Sequence, residues 1–196
     1  MKMANGGYNP AYNVQFSTDT QTQVIVAVEV VNQGTDAGQL EPLVEQIEKR
    51  TGVRPPEVLA DGGFATKEEI QQLNDPQRGY KVYAPVKEEE QQRQKGQDPF
   101  AVRAGESPEL SEWRTRMGTD EAKTVYKQRA STAECVNAQA RQRRLDQFPV
   151  RGLPKVRLVA IWFALAHNLR RWGHYAPRAR CGWPEHKLER MGSMSD

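Results

Sequence analysis

The order of patterns along this 196-residue chain predicts an α/β domain, a mixed sheet with helices packed on it. Three observations carry that expectation. Two β-rich stretches lie near the start, joined by a short polar turn. Amphipathic helix patterns then alternate with short apolar runs, giving the order β-β-α-β-α-β. Two long helix patterns close the chain.

Residues 1–10 read as irregular. From Ala11 onward Tyr12, Val14 and Phe16 alternate with Asn13, Gln15 and Ser17, the period of a half-buried strand. Asp19 to Gln23 is polar and turn-like. Val24 to Val28, with Val30 and Val31, is a β-branched run suited to a strand buried on both faces. The two strands predict a hairpin. Thr35-Asp36 suits a helix cap, and Leu40, Leu43, Val44 and Ile47 fall on one helical face that Gly52 can stop. Val58-Leu59-Ala60 lies between Pro55-Pro56 and Gly62-Gly63 and predicts a buried strand ending in Asp61. The glycines allow an immediate turn, since they accept backbone angles that other residues avoid.

Thr66 and Glu69 have the spacing of a capping box, opening a short helix through Ile70 and Leu73. Tyr80 to Ala84 predicts another strand, closed by Pro85. Residues 87–107 have almost nothing to bury and read as an exposed insertion. Pro108 to Met117 predicts a short helix carrying Leu110 and Trp113. A long helix is expected from Thr119-Asp120 past Arg141, with Tyr126, Arg129, Ala133, Val136 and Ala140 along one side and Glu134 near it. Lys155 to Trp172 predicts a second helix, apolar nearly all round. Val156, Val159, Ala160, Phe163, Ala166 and His167 read as its core side. Trp162 and Trp172 read as core or interface residues. Residues 173–196 read as a flexible basic tail.

Composition is that of an ordinary soluble chain, with 37% hydrophobic and 27% charged residues. The longest apolar run, Leu158 to Ala166, is too short to span a bilayer. The first residues lack the apolar segment of a signal peptide. Cys135 and Cys181 have no metal-like spacing, which fits a reduced, cytoplasmic setting. The net charge of +3 conceals an asymmetry. Residues 1–122 carry 13 Lys and Arg against 20 Asp and Glu, and residues 123–196 carry 15 against 5. A basic final third suits a polyanion such as DNA, or else a solvated face with no partner.

Asp61 stands where open α/β sheets place their ligands, at the carboxyl end of a strand. The same position also suits a carboxylate that only caps its own turn. His167, on an apolar helix, reads as a hydrogen-bonded core residue before a ligand or base. A zinc role for His174, Cys181 and His186 lacks a fourth ligand.

Several stretches together resemble one family. Pro10-Ala11-Tyr12-Asn13-Val14-Gln15 is similar to its Tyr-Asn-Val-Gln strand, and Asp36 with Leu40 to its Asp-x3-Leu helix start. Ala60-Asp61-Gly62-Gly63-Phe64 is similar to its Ala-Asp-x-Gly-Tyr/Phe motif. Tyr126, Arg129, Glu134 and Arg141 are similar to its Tyr-Arg-Glu-Lys signature. Arg151-Gly152-Leu153-x-Lys155-Val156 and Ala164-Leu165-Ala166-His167-Asn168-Leu169 are similar to its closing helix. Over roughly residues 8–172 the chain thus resembles the carboxyl-terminal part of a bacterial insertion-sequence transposase of the DDE type, with a ribonuclease-H-like core. Two departures stand out. Arg141 replaces the usual Lys, and Glu134 lies one residue further from Arg129 than in the commonest form.

The resemblance implies a catalytic role for Asp61 and Glu134 as ligands of Mg²⁺ or Mn²⁺. It implies DNA-binding or site-supporting roles for Tyr126, Arg129, Arg141, Arg151 and Lys155. The implied partners are DNA, as element ends and target, and a further copy or an intact transposase. The implied location is cytoplasmic and nucleoid-associated, away from membranes. Such sites use three carboxylates, and the first belongs to a central strand that precedes the hairpin. The resemblance gives that role to neither Asp19 nor Asp36. The expectation is therefore a truncated domain, inert alone and weak for metal. The alternative is a DNA-binding remnant that interferes with an intact relative. A nucleic-acid-free scaffold is a third possibility, disfavoured by the charge asymmetry.

Overall fold

The computed structural model describes residues 11–175, and its strands form two small sheets instead of one. Strands β1 (Asn13–Thr18) and β2 (Ile25–Val31) pair antiparallel as the expected hairpin. Strands β3 (Glu57–Leu59) and β4 (Lys81–Tyr83) pair parallel. The expected mixed α/β composition is present, but the single mixed sheet is not.

Helix α1 (Leu40–Thr51) ends at Gly52, whose left-handed backbone caps it as the sequence suggests. Its start differs from expectation. Asp36 does not cap it, because the Asp36 carboxylate accepts hydrogen bonds from Asn13 Nδ2 and Gln15 Nε2 on β1. The cap comes from α2 (Lys67–Leu73) instead. There the buried Glu69 carboxylate accepts the Leu40 N–H at 2.9 Å and the Gly38 N–H at 3.1 Å. Within α2 the Thr66 hydroxyl caps the Glu69 N–H at 3.2 Å, as the capping box requires.

Residues 87–107 are not wholly exposed. They include α3 (Glu89–Gln94), and Pro99 and Phe100 dock toward α4 (Pro108–Met117). The long helix consists of α5 (Asp120–Arg129), a π-helical turn (Ala130–Glu134) and α6 (Cys135–Gln142). Helix α7 runs from Leu153 to Tyr175, past the expected end at Trp172. Gly173 and His174 thus belong to a helix, and the rest of the predicted tail, with Cys181 and His186, lies outside the described residues.

Two apolar clusters hold these elements. The first joins β3, β4, α2 and α4 with Leu40 and Val44 of α1 and with Ala122, Val125 and Tyr126 of α5. The second joins the hairpin to Val136 and Ala140 of α6 and to Val156, Ala160, Phe163 and Ala164 of α7. The long helix therefore crosses from one core to the other at its π turn. On α7 Val156, Ala160, Phe163 and His167 are buried as expected, whereas Val159 is only partly buried and outside both clusters, and Ala166 is exposed. Trp162 and Trp172 are exposed as well and are not core residues.

Three polar residues near the end of α7 hold the hairpin. His167 is buried and its Nε2 lies 2.8 Å from the Gln23 carbonyl, as expected for a core histidine. Arg171 Nε donates to the Thr22 carbonyl at 2.9 Å. Asn168 accepts the Ile25 N–H and donates to the Ile25 carbonyl, both at 2.8 Å, satisfying both backbone groups as a neighbouring strand would. Asn168→Ala leaves both groups bare and is expected to cost about 1–3 kcal/mol in urea unfolding, with an unchanged denaturant slope. A cost within error would mean that water replaces the amide freely.

Candidate active site

The backbone continues the parallel ladder one step beyond β3, with the Ala60 N–H donating to the Tyr83 carbonyl at 2.9 Å. Asp61 follows and turns the chain. Its carbonyl accepts the Phe64 and Ala65 N–H groups, and its Oδ1 accepts the Gly62 N–H at 2.7 Å. The two glycines serve a different purpose from the one expected. Neither has a positive φ. Gly62 provides close approach, since a Cβ there would stand 3.3 Å from Pro85 Cγ, whereas one on Gly63 would make an ordinary contact with Asp36 Oδ2 at 3.4 Å. The Asp36 carboxylate, bonded to β1, therefore lies beside Gly63 of the Asp61 turn.

Glu134 reaches the same place from the long helix. In a regular α-helix a residue five positions after Arg129 points about 140° away from it. The π turn, with its wider i→i+5 spacing, turns Glu134 back to Arg129's side. The extra residue between the two was the sequence signal for this turn, and the reading of one uniform helix missed it.

Arg129 joins the two acids. Its NH2 lies 3.1 Å from Asp61 Oδ2 and its NH1 lies 3.0 Å from Glu134 Oε1. The Arg129 side chain is 19% exposed, whereas the Asp61 and Glu134 side chains are 56% and 58% exposed. The cation is thus half-buried while both carboxylates are exposed to solvent. Tyr126 lies one turn before Arg129 and faces the same group of charges. Burial pushes its hydroxyl pKa up, the charge of Arg129 pulls the other way, and Asp61 and Glu134 add to the rise.

Asp61, Tyr126, Arg129 and Glu134 therefore come together in the fold. Arg141, Arg151 and Lys155 do not join them. All three are exposed, Arg141 near the end of α6 and the other two at the start of α7, where Gly152 takes a positive φ and donates its N–H to the Tyr12 hydroxyl. Asp19 is also elsewhere, since its carboxylate caps the hairpin turn at Thr22. Asp36 and Glu69, which the sequence did not single out as supports, position the loops around the site. Nothing in their local sequence shows which distant backbone groups they serve.

Two solvent-facing carboxylates one guanidinium's width apart offer hard oxygen donors of the kind Mg²⁺ takes together with water and phosphate. Among the described residues, no group of three or more His, Cys, Asp or Glu side chains is placed to hold a metal ion. No described helix is long and apolar enough to cross a membrane. In comparisons with known proteins, the family described as the transposase DDE domain matches residues 2–169. No curated protein and no solved structure matches the chain.

Proposed function

Because the chain belongs to the transposase DDE domain family, we propose that Asp61 and Glu134 are the second and third acids of a DNA strand-transfer site. The observation that carries this reading is the convergence of the two acids, from separate elements, on Arg129. A divalent ion bound there would stabilise charge at a phosphodiester during in-line displacement. The chain's own residues hold the two carboxylates at a fixed spacing, keep Arg129 beneath them and leave their outer oxygens open to DNA. Arg141, Arg151 and Lys155 are the backbone contacts in this reading, since Arg and Lys neutralise phosphates.

The two separate sheets fit a ribonuclease-H-like sheet whose central strand is not among the described residues. Gln15 Oε1 and Thr18 Oγ1 on β1 are buried and have no partner among them, which suits a further element packing there. The first acid would come with that element. The 196-residue chain alone is accordingly proposed to bind Mg²⁺ or Mn²⁺ weakly and to leave DNA uncut. The test is a cleavage assay on element-end DNA with each metal. No cutting, together with Mn²⁺ binding that Asp61→Asn weakens at least tenfold, is the expected result. Cutting that disappears in Asp61→Asn would overturn the inertness and keep the site. Mn²⁺ binding that ignores both Asp61→Asn and Glu134→Gln would overturn the site.

A second reading rests on the charge asymmetry. The basic final third grips DNA without catalysis and competes with an intact transposase. It predicts DNA binding that falls steeply with salt and is unchanged by Asp61→Ala.

A further inference from the structure

Arg129 differs from the other buried and half-buried arginines in what holds it. Arg114 donates to the Pro99 carbonyl, Arg116 to the Val82 carbonyl and Arg171 to the Thr22 carbonyl, so each is fastened to backbone. Among the described residues no backbone carbonyl accepts from the Arg129 side chain. Its ion-pair partners are Asp61 and Glu134, the two exposed acids of the candidate site. Ion pairs with solvent-exposed partners are weak and break readily. The guanidinium can therefore leave without unfastening any element of the fold.

The oxygens it occupies are those that a cation shared by the two acids would need. Asp61 Oδ2 and Glu134 Oε1 lie against its two terminal nitrogens, at 3.1 and 3.0 Å. Asp61 Oδ1 already accepts the Gly62 N–H of its own turn. Charge balance points the same way. The two carboxylates and Arg129 sum to one negative charge. A divalent ion added beside Arg129 would leave one positive charge in a small space, whereas an ion that takes Arg129's place leaves none. The guanidinium does not relieve this by losing its proton, because it stays charged throughout the pH range of folded proteins. It has to move.

We propose that Arg129 is the resting counter-ion of the two acids, and that a divalent cation binds by displacing it. The proposal rests on the reading of Asp61 and Glu134 as metal ligands, and it gives weak metal binding a second cause. Its sign is opposite to that of a supporting role. An arginine that only held the acids at a working spacing would weaken binding when removed, whereas removal of a resting counter-ion strengthens it.

Mn²⁺ binding to the full chain, followed by the electron paramagnetic resonance of the free ion, tests this. Arg129→Gln is expected to bind Mn²⁺ about three- to tenfold more tightly than the parent, with a larger gain at low salt than at high. Arg129→Lys keeps the charge and is expected to bind as the parent does. Circular dichroism of both variants is expected to match the parent. A Mg²⁺ titration of the unaltered chain adds a readout that no folding defect touches: one arginine Nε–H resonance, missing from Arg129→Lys, is expected to shift. Weaker or unchanged binding by Arg129→Gln, equal tightening by Arg129→Lys, or arginine resonances that Mg²⁺ leaves unmoved would each overturn the counter-ion, and the site itself would stand wherever Asp61→Asn still weakens binding. Mn²⁺ binding indifferent to both Asp61→Asn and Glu134→Gln would overturn the site and the counter-ion together.

Discussion

Deleting Ser131 is expected to leave the protein folded, with an unfolding midpoint unchanged or raised, whereas deleting Ala138 costs about 2 kcal/mol or more. Both residues are exposed on the same long helix, so side-chain burial does not separate them. The difference lies in register. The π turn over Ala130–Glu134 holds one residue more than the regular helix would need. Removing Ser131 lets the turn close as ordinary α-helix. Arg129 and Glu134 then stand four residues apart and still face each other. Val136 and Ala140 also keep their direction into the second core, and Ala122 and Tyr126 keep theirs into the first. Losing Ala138 offers no such relief. If the helix beyond it rotates, Ala140 leaves the core. If the π turn absorbs the change instead, Val136 leaves and Glu134 swings away from Arg129. Mn²⁺ binding provides the second readout: Ser131 deletion keeps it, Ala138 deletion weakens it. Equal damage from the two deletions would mean that the turn is not what sets the register.

The same turn shows how far the sequence could be read. Local signals were sufficient wherever an element is decided by its own residues. Gly52 stops α1, Thr66 caps α2, and the β-branched run from Ile25 to Val31 pairs with the strand before it. The meeting of Asp61 with Glu134 was legible only through the order of motifs, because no local pattern joins a strand end to a helix some seventy residues later. Contacts made by polar side chains over long separations were not legible. Glu69 caps a helix that precedes it, Asp36 accepts from Asn13 and Gln15 of β1, and Asn168 satisfies Ile25. In each case the residue type permits many partners, and the fold selects one. The apolar pattern of α7 had the opposite ambiguity. A helix apolar nearly all round reads as buried, and only the structure separates the side that meets the hairpin from the side left exposed among the described residues.

Replacing Glu106 by Ala is expected to cost about 3–5 kcal/mol. Nothing in the sequence assigns this residue a role, because it falls in a charged stretch that reads as exposed. In the fold its side chain is 8% exposed and that of Arg114 is 3% exposed. Arg114 Nε donates to Glu106 Oε2 at 2.9 Å, its NH2 donates to the other oxygen, and its NH1 donates to the Pro99 carbonyl at 3.0 Å. The pair thereby fastens residues 99–106 to α4. Removing the carboxylate strands a buried guanidinium, and the cost comes from that stranded charge more than from the lost attraction. A double replacement, Glu106→Leu with Arg114→Met, is therefore expected to recover most of the loss. The hydrogen bonds and charge of Arg114 hold the Glu106 carboxyl below its ordinary range, against burial, which pushes the other way. A carboxyl whose folded pKa is depressed stabilises the fold above its unfolded value, about 4.3, and loses that contribution as pH falls through the folded value. Stability curves of the parent chain and Glu106→Gln should accordingly differ at neutral pH and converge in acid. A gap that stays constant down to the lowest pH at which the chain folds would assign the loss to packing and not to the ion pair.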